Sequence, residues 1–204
     1  PRLDFKLLQV RPVGEFFDDR NTTLEKVMEE VPNLLLQSSK ALGSGYVENM
    51  KYIMYVSGQS FDSARTREMA QEIARINEIV KGEGASYLLI GPGRWGSSDP
   101  WLGIPVLWSD ISEARLIVET AIAGYQIEPS QGTHFFQNLT SFGVGYFTIN
   151  AYMNDGLFRQ DLLDAMPAIT ETQYVRHVRF DKPLKIMMDG KKQKGVVMLP
   201  EDSE

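Results

Sequence analysis

Gly91, Gly93, Arg94 and Gly96 stand together in the run Gly-Pro-Gly-Arg-Trp-Gly-Ser-Ser-Asp-Pro-Trp, residues 91–101. Glycine lets a backbone approach a ligand closely. Proline fixes φ and removes a donor. Arginine presents a planar fork of donors suited to a phosphate or a carboxylate. A loop of this composition predicts an anion site on which N–H groups and a guanidinium converge. The rival reading is a tight connection pinned by two buried indoles, with Arg94 paired to a carboxylate such as Asp99. Neither the phosphate-loop spacing nor the dinucleotide fingerprint is present. His134 is the other residue able to do chemistry. It follows Ser130 and Thr133, either of which can cap a short helix through Leu139, and a helix start favours the neutral imidazole. Three roles stay open for it: a packed, hydrogen-bonded residue, a ligand contact, or a phosphoryl acceptor.

The surrounding elements decide where the 91–101 loop sits. Tyr87-Leu88-Leu89-Ile90 has the length and apolarity of a buried strand. Residues 51–57 read as a strand of aromatic and β-branched side chains. Between them, residues 61–81 repeat apolar positions at Ala70, Ile73, Ile76 and Val80, with Asn77 on the same stripe. Asp62 or Ser63 caps this helix, and Gly82 and Gly84 end it. Strand, helix and strand with short connections make a βαβ unit, hence a parallel pair with a right-handed crossover. Ligands gather at the carboxyl ends of such strands, and the 91–101 loop leaves that end.

Elsewhere, residues 113–120 and 142–150 read as strands, and residues 157–166 as a short helix. Residues 174–180 alternate, with His177 expected on a surface or edge strand. Residues 184–188 and 195–199 form a hairpin whose Lys191, Lys192 and Lys194 are solvated tip charges. A helix is expected after Thr22 or Thr23 and ends at Pro32. Residues 33–41 are a helical turn or a strand, and residues 42–45 a flexible break. The expected fold is α/β or α+β: a mixed sheet of about six or seven strands, one long packed helix and several short helices.

Composition narrows the function. The chain has 204 residues, 43% of them hydrophobic, enough for a sizeable core. Its formal net charge of −6 argues against a general nucleic-acid binder, which needs a basic face. No cysteine is present, so thiolate metal sites and thiol nucleophiles are excluded. No apolar run reaches the roughly 20 residues of a membrane span, and no signal peptide is visible. A cytoplasmic location is expected. No His/Asp/Glu set has zinc spacing, and no GxSxG elbow supports a serine hydrolase. The chain opens at Pro1 within strand-like sequence, which predicts a piece of a longer protein.

Leu7-Leu8-Gln9-Val10-Arg11-Pro12 resembles the closing strand of the ATP-grasp domain in the phosphoenolpyruvate synthase and pyruvate phosphate dikinase family. The resemblance implies that Gln9 lies by the metal and the phosphates, and that Arg11 contacts the phosphate end of the nucleotide. It implies ATP and Mg2+ as cofactors of the longer parent, none for this piece alone, and an upstream ATP-grasp domain as partner. Residues 91–108 together with 132–139 resemble a cassette found downstream of that domain in phosphoenolpyruvate synthase-like proteins. The family's phosphohistidine motif is not matched at Thr133-His134-Phe135-Phe136, so that role is not carried to His134. The implied organisation is a last ATP-grasp strand at 1–14, a linker and helix at 15–45, and a C-terminal α/β domain at 46–204. The implied function is the C-terminal portion of an ATP-dependent phosphotransferase, with an anion-binding loop and no activity of its own. The alternative is a non-catalytic regulatory or assembly module that binds a phosphorylated metabolite.

Overall fold

The computed structural model describes residues 24–30, 32–121, 139, 142–150, 153 and 155–200. In chain order these form α1 (Leu24–Glu30), β1 (Leu34–Ser38), β2 (Lys40–Leu42), β3 (Ser44–Val56), α2 (Thr66–Gly82), β4 (Tyr87–Pro92), β5 (Arg94–Trp95), β6 (Gly103–Ile104), β7 (Ala114–Thr120), β8 (Gly145–Ile149), β9 (Leu157–Phe158), α3 (Gln160–Ala165), β10 (Ala168–Glu171), β11 (Val175–Asp189) and β12 (Lys194–Met198). The main sheet has ten strands, in the order β2-β8-β7-β4-β3-β11-β12-β1-β9, with β10 beside β11. β3, β4, β7 and β8 run parallel, and the remaining neighbours pair antiparallel.

The sheet is larger than the six or seven strands expected. The extra strands come from residues 33–41, expected as a helical turn or a strand within the linker, from the expected 157–166 helix, and from residues 168–171, for which no element was expected. β1 and β2 lie within the expected 15–45 linker, and β9 within the expected 157–166 helix. β1 and β2 are consecutive in the chain, yet they pair at opposite ends of the sheet, β1 with β12 and β2 with β8. The sheet therefore curls until its ends meet at residues 34–42. The Ser38 hydroxyl donates to the Thr148 carbonyl at 2.7 Å, and the Ala41 N–H donates to the Gln193 carbonyl at 2.8 Å. Gly43, at φ +100°, makes a single-residue turn into β3 where a flexible break was expected.

Curling gives the sheet an inside and an outside, and each carries a core. Leu36, Ala41, Ile53, Leu88, Val118, Phe147, Ile186 and Val197, one from each strand around the ring, belong to a single buried cluster. Here Gly195 leaves room for a ring: a Cβ on it would lie 2.3 Å from Phe147 Cε1. On the other side, Met69, Ile73, Ile76 and Val80 of α2 pack against Met54, Leu89 and Ile117. This explains why β4 is buried at every residue, as a parallel strand covered on both faces must be. Asn77, on the apolar stripe of α2, is fully used. It accepts from Tyr87 Oη at 2.9 Å and from the Glu113 N–H at 3.1 Å, and it donates to Ser112 Oγ at 3.2 Å. The expected βαβ unit is present as β3-α2-β4, with Tyr52 opposite Tyr87 and Tyr55 opposite Ile90. No helix among the described residues is long and apolar enough to cross a membrane.

His177 corrects the expectation of a surface position. β11 is an interior strand, between β3 and β12, and His177 is 2% exposed. Its ring stacks on Tyr52 with centroids 5.4 Å apart, and neither ring nitrogen has a hydrogen-bond partner. Burial pushes its pKa below the usual histidine value, with Glu83 opposing weakly. A depressed pKa means that the unfolded chain takes up the proton first as pH falls. The contribution of neutral His177 to stability is thus complete above the unfolded pKa of about 6.5 and is lost on acidification below it. Urea unfolding at pH 7.5 and pH 5 should show this loss in the native chain and a smaller one in His177→Phe. Equal losses in both proteins would contradict it.

Candidate functional site

The carboxyl ends of β4, β7 and β8 lie side by side, because Pro92 pairs with Thr120 and Thr120 with Ile149. The loop after β4 turns back over this edge. Gly91 carries the Trp95 indole, and a Cβ there would lie 2.5 Å from Trp95 Cζ2. Gly93 and Gly96 both sit at φ +76°, a conformation that other residues adopt only under strain. Gly103 lies against the backbone of Arg94, leaving no space for a side chain. β5 and β6 pair in parallel here, Arg94 with Gly103 and Trp95 with Ile104. Asp99 Oδ1 accepts the Trp101 N–H at 3.0 Å, closing the tip.

Only one of the two indoles is buried. Trp95 is 2% exposed, whereas Trp101 is 59% exposed at the tip. Trp95 Nε1 donates to the Val118 carbonyl at 3.0 Å, and its backbone N–H to Glu119 Oε1 at 3.1 Å. Glu119 is itself buried, at 3% exposure. Its other carboxylate oxygen accepts from Tyr146 Oη at 2.6 Å, and Thr148 Oγ1 donates to that phenol oxygen at 3.2 Å. A carboxylate tolerates this depth because donors replace the lost water.

The backbone donors of residues 93–96 are engaged by the protein. The Gly93 N–H donates to Thr120 O at 3.0 Å, Arg94 to Leu102 O at 2.7 Å and Gly96 to Ile104 O at 2.8 Å, besides Trp95 to Glu119. The glycines thus serve close packing and turning, and the cradle of free amides that their spacing suggested is not formed. The Arg94 side chain, between the Gly93 turn and the buried Trp95, is half-buried. At this edge Gly93, Glu119, Thr120, Thr148 and Asn150 line a cleft of about 20 Å³, room for about one water-sized group. Asn150 Oδ1 is buried there with no hydrogen-bond partner.

A second polar cluster lies at the carboxyl end of β3. Tyr55 Oη donates to Asp164 Oδ1 at 2.8 Å and accepts from Arg176 Nη1 at 2.8 Å. Burial, reinforced by Asp164, pushes the Tyr55 phenol well above its usual pKa and keeps it protonated. Arg176 also donates to the carbonyls of Asp164 and Met166, at 3.1 and 3.0 Å. It thereby closes the carboxyl end of α3, a helix too short to hold itself. This cluster is a structural clamp.

Of the residues singled out from sequence, Gly91, Gly93, Arg94 and Gly96 share one edge of the sheet. Gln9, Arg11 and His134 lie outside the described residues. Glu119, Tyr146, Thr148 and Asn150 were missed. The available signal was Glu119 itself, a carboxylate directly after Leu116-Ile117-Val118 in a strand that must be buried. Among the described residues no group of three or more His, Cys, Asp or Glu side chains could hold a metal ion. No family model, curated protein or solved structure matches the chain.

Glu119→Ala removes the acceptor of two buried donors, the Trp95 N–H and the Tyr146 hydroxyl. Each orphaned donor costs about 1–3 kcal/mol, and each kilocalorie lowers Tm by roughly 2–4 °C in a chain this long. Differential scanning calorimetry should show a drop of several degrees, and tryptophan emission should move to the red as Trp95 is wetted. An unchanged Tm would mean that the loop is not anchored through Glu119.

Proposed function

We propose that this chain is the C-terminal portion of a phosphoenolpyruvate synthase-like, ATP-dependent phosphotransferase, and that it binds a phosphorylated small molecule without turning it over alone. The observation that carries this reading is the position of Arg94. It stands on a loop at the carboxyl edge of parallel strands, where ligands of α/β sheets collect. The loop is fixed before any ligand arrives by Gly91 under Trp95, by the β5–β6 pair and by the Glu119 anchor. A fixed loop loses little conformational entropy on binding.

The charged contact in this reading is the Arg94 guanidinium, whose fork suits a phosphate bidentately. The backbone amides of residues 93–96 are not part of the contact, since they are already bonded. ATP and Mg2+ belong in this reading to the upstream ATP-grasp domain, with Gln9 and Arg11 supplied to it as its closing strand.

Phosphoenolpyruvate and inorganic phosphate should each give saturable heat in a calorimetric titration of this chain. Arg94→Ala should weaken both by roughly tenfold or more, the loss expected for a hydrogen-bonded charge pair. Arg94→Lys should fall between, because it keeps the charge and loses the fork. Undiminished affinity in Arg94→Ala would overturn the reading.

A further inference from the structure

A second cavity lies at the opposite, amino ends of β7 and β8. It is bounded by the 3-10 turn Trp108–Ile111 that packs beside α2. Its volume is about 450 Å³, within the roughly 300–1,000 Å³ typical of small-molecule pockets. The Trp108 and Phe142 rings form one wall, with centroids 5.4 Å apart and planes tilted by 56°. Ile111 and Val144, at 1% and 9% exposure, complete the apolar lining. Phe142 is 64% exposed, a large aromatic surface left open beside the cavity.

Two polar side chains line the cavity, Ser112 and Arg115. The Ser112 hydroxyl has already given its single proton to Glu113 Oε1, at 3.0 Å, and it accepts from Asn77 Nδ2. Arg115 is differently placed. Its Nη1 donates to the Ser112 and Ala114 carbonyls at 3.0 and 3.2 Å, which fixes the plane of the guanidinium. Its Nη2 stands 3.6 Å from Glu113 Oε2, too long for a hydrogen bond. The Nη2 and Nε donors therefore make no hydrogen bond among the described residues.

We propose that this cavity binds a small aromatic carboxylate, its ring against Trp108 and Phe142 and its carboxylate on the Arg115 fork. A tilted aromatic wall with aliphatic neighbours selects a flat apolar body. A guanidinium pre-set by its own backbone contacts selects a planar anion. The ligand carboxylate displaces the loose Glu113 contact and gains two charge-assisted hydrogen bonds. This site is separate from the Arg94 edge, so it stands or falls independently of the phosphate reading.

The probes are 2-naphthoate and its neutral counterpart 2-naphthylmethanol, titrated by calorimetry into the intact chain, Arg115→Gln and Phe142→Ala. Both positions are exposed, and unchanged melting curves verify that the variants fold. The expected result is saturable one-to-one binding of 2-naphthoate. Arg115→Gln should weaken it roughly tenfold or more, in the range of a charge-assisted pair, while changing 2-naphthylmethanol little. Phe142→Ala should weaken both probes. No saturable binding of 2-naphthoate would overturn the proposal. So would equal affinity for 2-naphthoate in Arg115→Gln and the native chain, or an equal loss of both probes in Arg115→Gln.

Discussion

Residues 34–42 belong to both ends of the sheet, and this closure is the constraint on which the rest of the molecule depends. A flat ten-stranded sheet would leave two edges open, and open edges pair with other chains. Here β1 continues one end, β2 continues the other, and a single residue, Ser39, separates them. Curvature then converts one face of every strand into an interior. Leu36, Val118 and Ile186, far apart in the chain, become neighbours in one cluster. The opposite face is left for α2, whose stripe needs an apolar floor. Closure also explains the glycines along the ring, such as Gly195 under Phe147, since a curled sheet has too little interior volume for a side chain at every position.

The Arg94 loop takes its rigidity from that frame through Glu119. One oxygen of this carboxylate accepts the backbone N–H of the residue after Arg94, and the other accepts a phenol from β8. The loop after β4 is thereby tied to β7 and β8 at once. A buried carboxylate is costly unless its lone pairs are used, and here the donors it needs are groups that themselves require an acceptor. Trp95 adds the apolar part of the anchor, its indole seated over Gly91 and its Nε1 bonded to β7. Arg94, half-buried and directly before this anchor, is carried by a backbone with no slack.

Local features were legible in the sequence because their causes are local. The period of α2, its ending at Gly82 and Gly84, and the apolar run of β4 all follow from residues near one another, and they suffice for the βαβ unit. The 91–101 loop was legible as a rigid element for the same reason, although its glycines turned out to serve Trp95 and the Arg94 backbone. Closure was not legible. Leu34-Leu35-Leu36 does not alternate, since these residues are all buried and the register shifts between Leu34 and Leu36, so a helical turn and a strand look alike there. The partners that decide the matter, Val197 and Thr148, lie more than a hundred residues away. His177 was misjudged for a related reason. Its neighbours alternate as in a half-exposed strand, but the Tyr52 ring of β3 stacks on the imidazole and the side chain is buried. Trp101 shows the reverse, an aromatic that the rival reading of the loop placed in the core and the turn at Asp99 holds outside.

The central claim is that the carboxyl edge of β4, β7 and β8 is where a phosphorylated ligand meets this chain. A 1H–15N correlation spectrum recorded during titration with phosphoenolpyruvate tests it without altering any residue. The account predicts saturable shifts concentrated at Arg94, Thr120 and Asn150, with little movement in the Lys191–Lys194 hairpin tip. Shifts concentrated at that lysine tip, or none at a saturating ligand concentration, would contradict it.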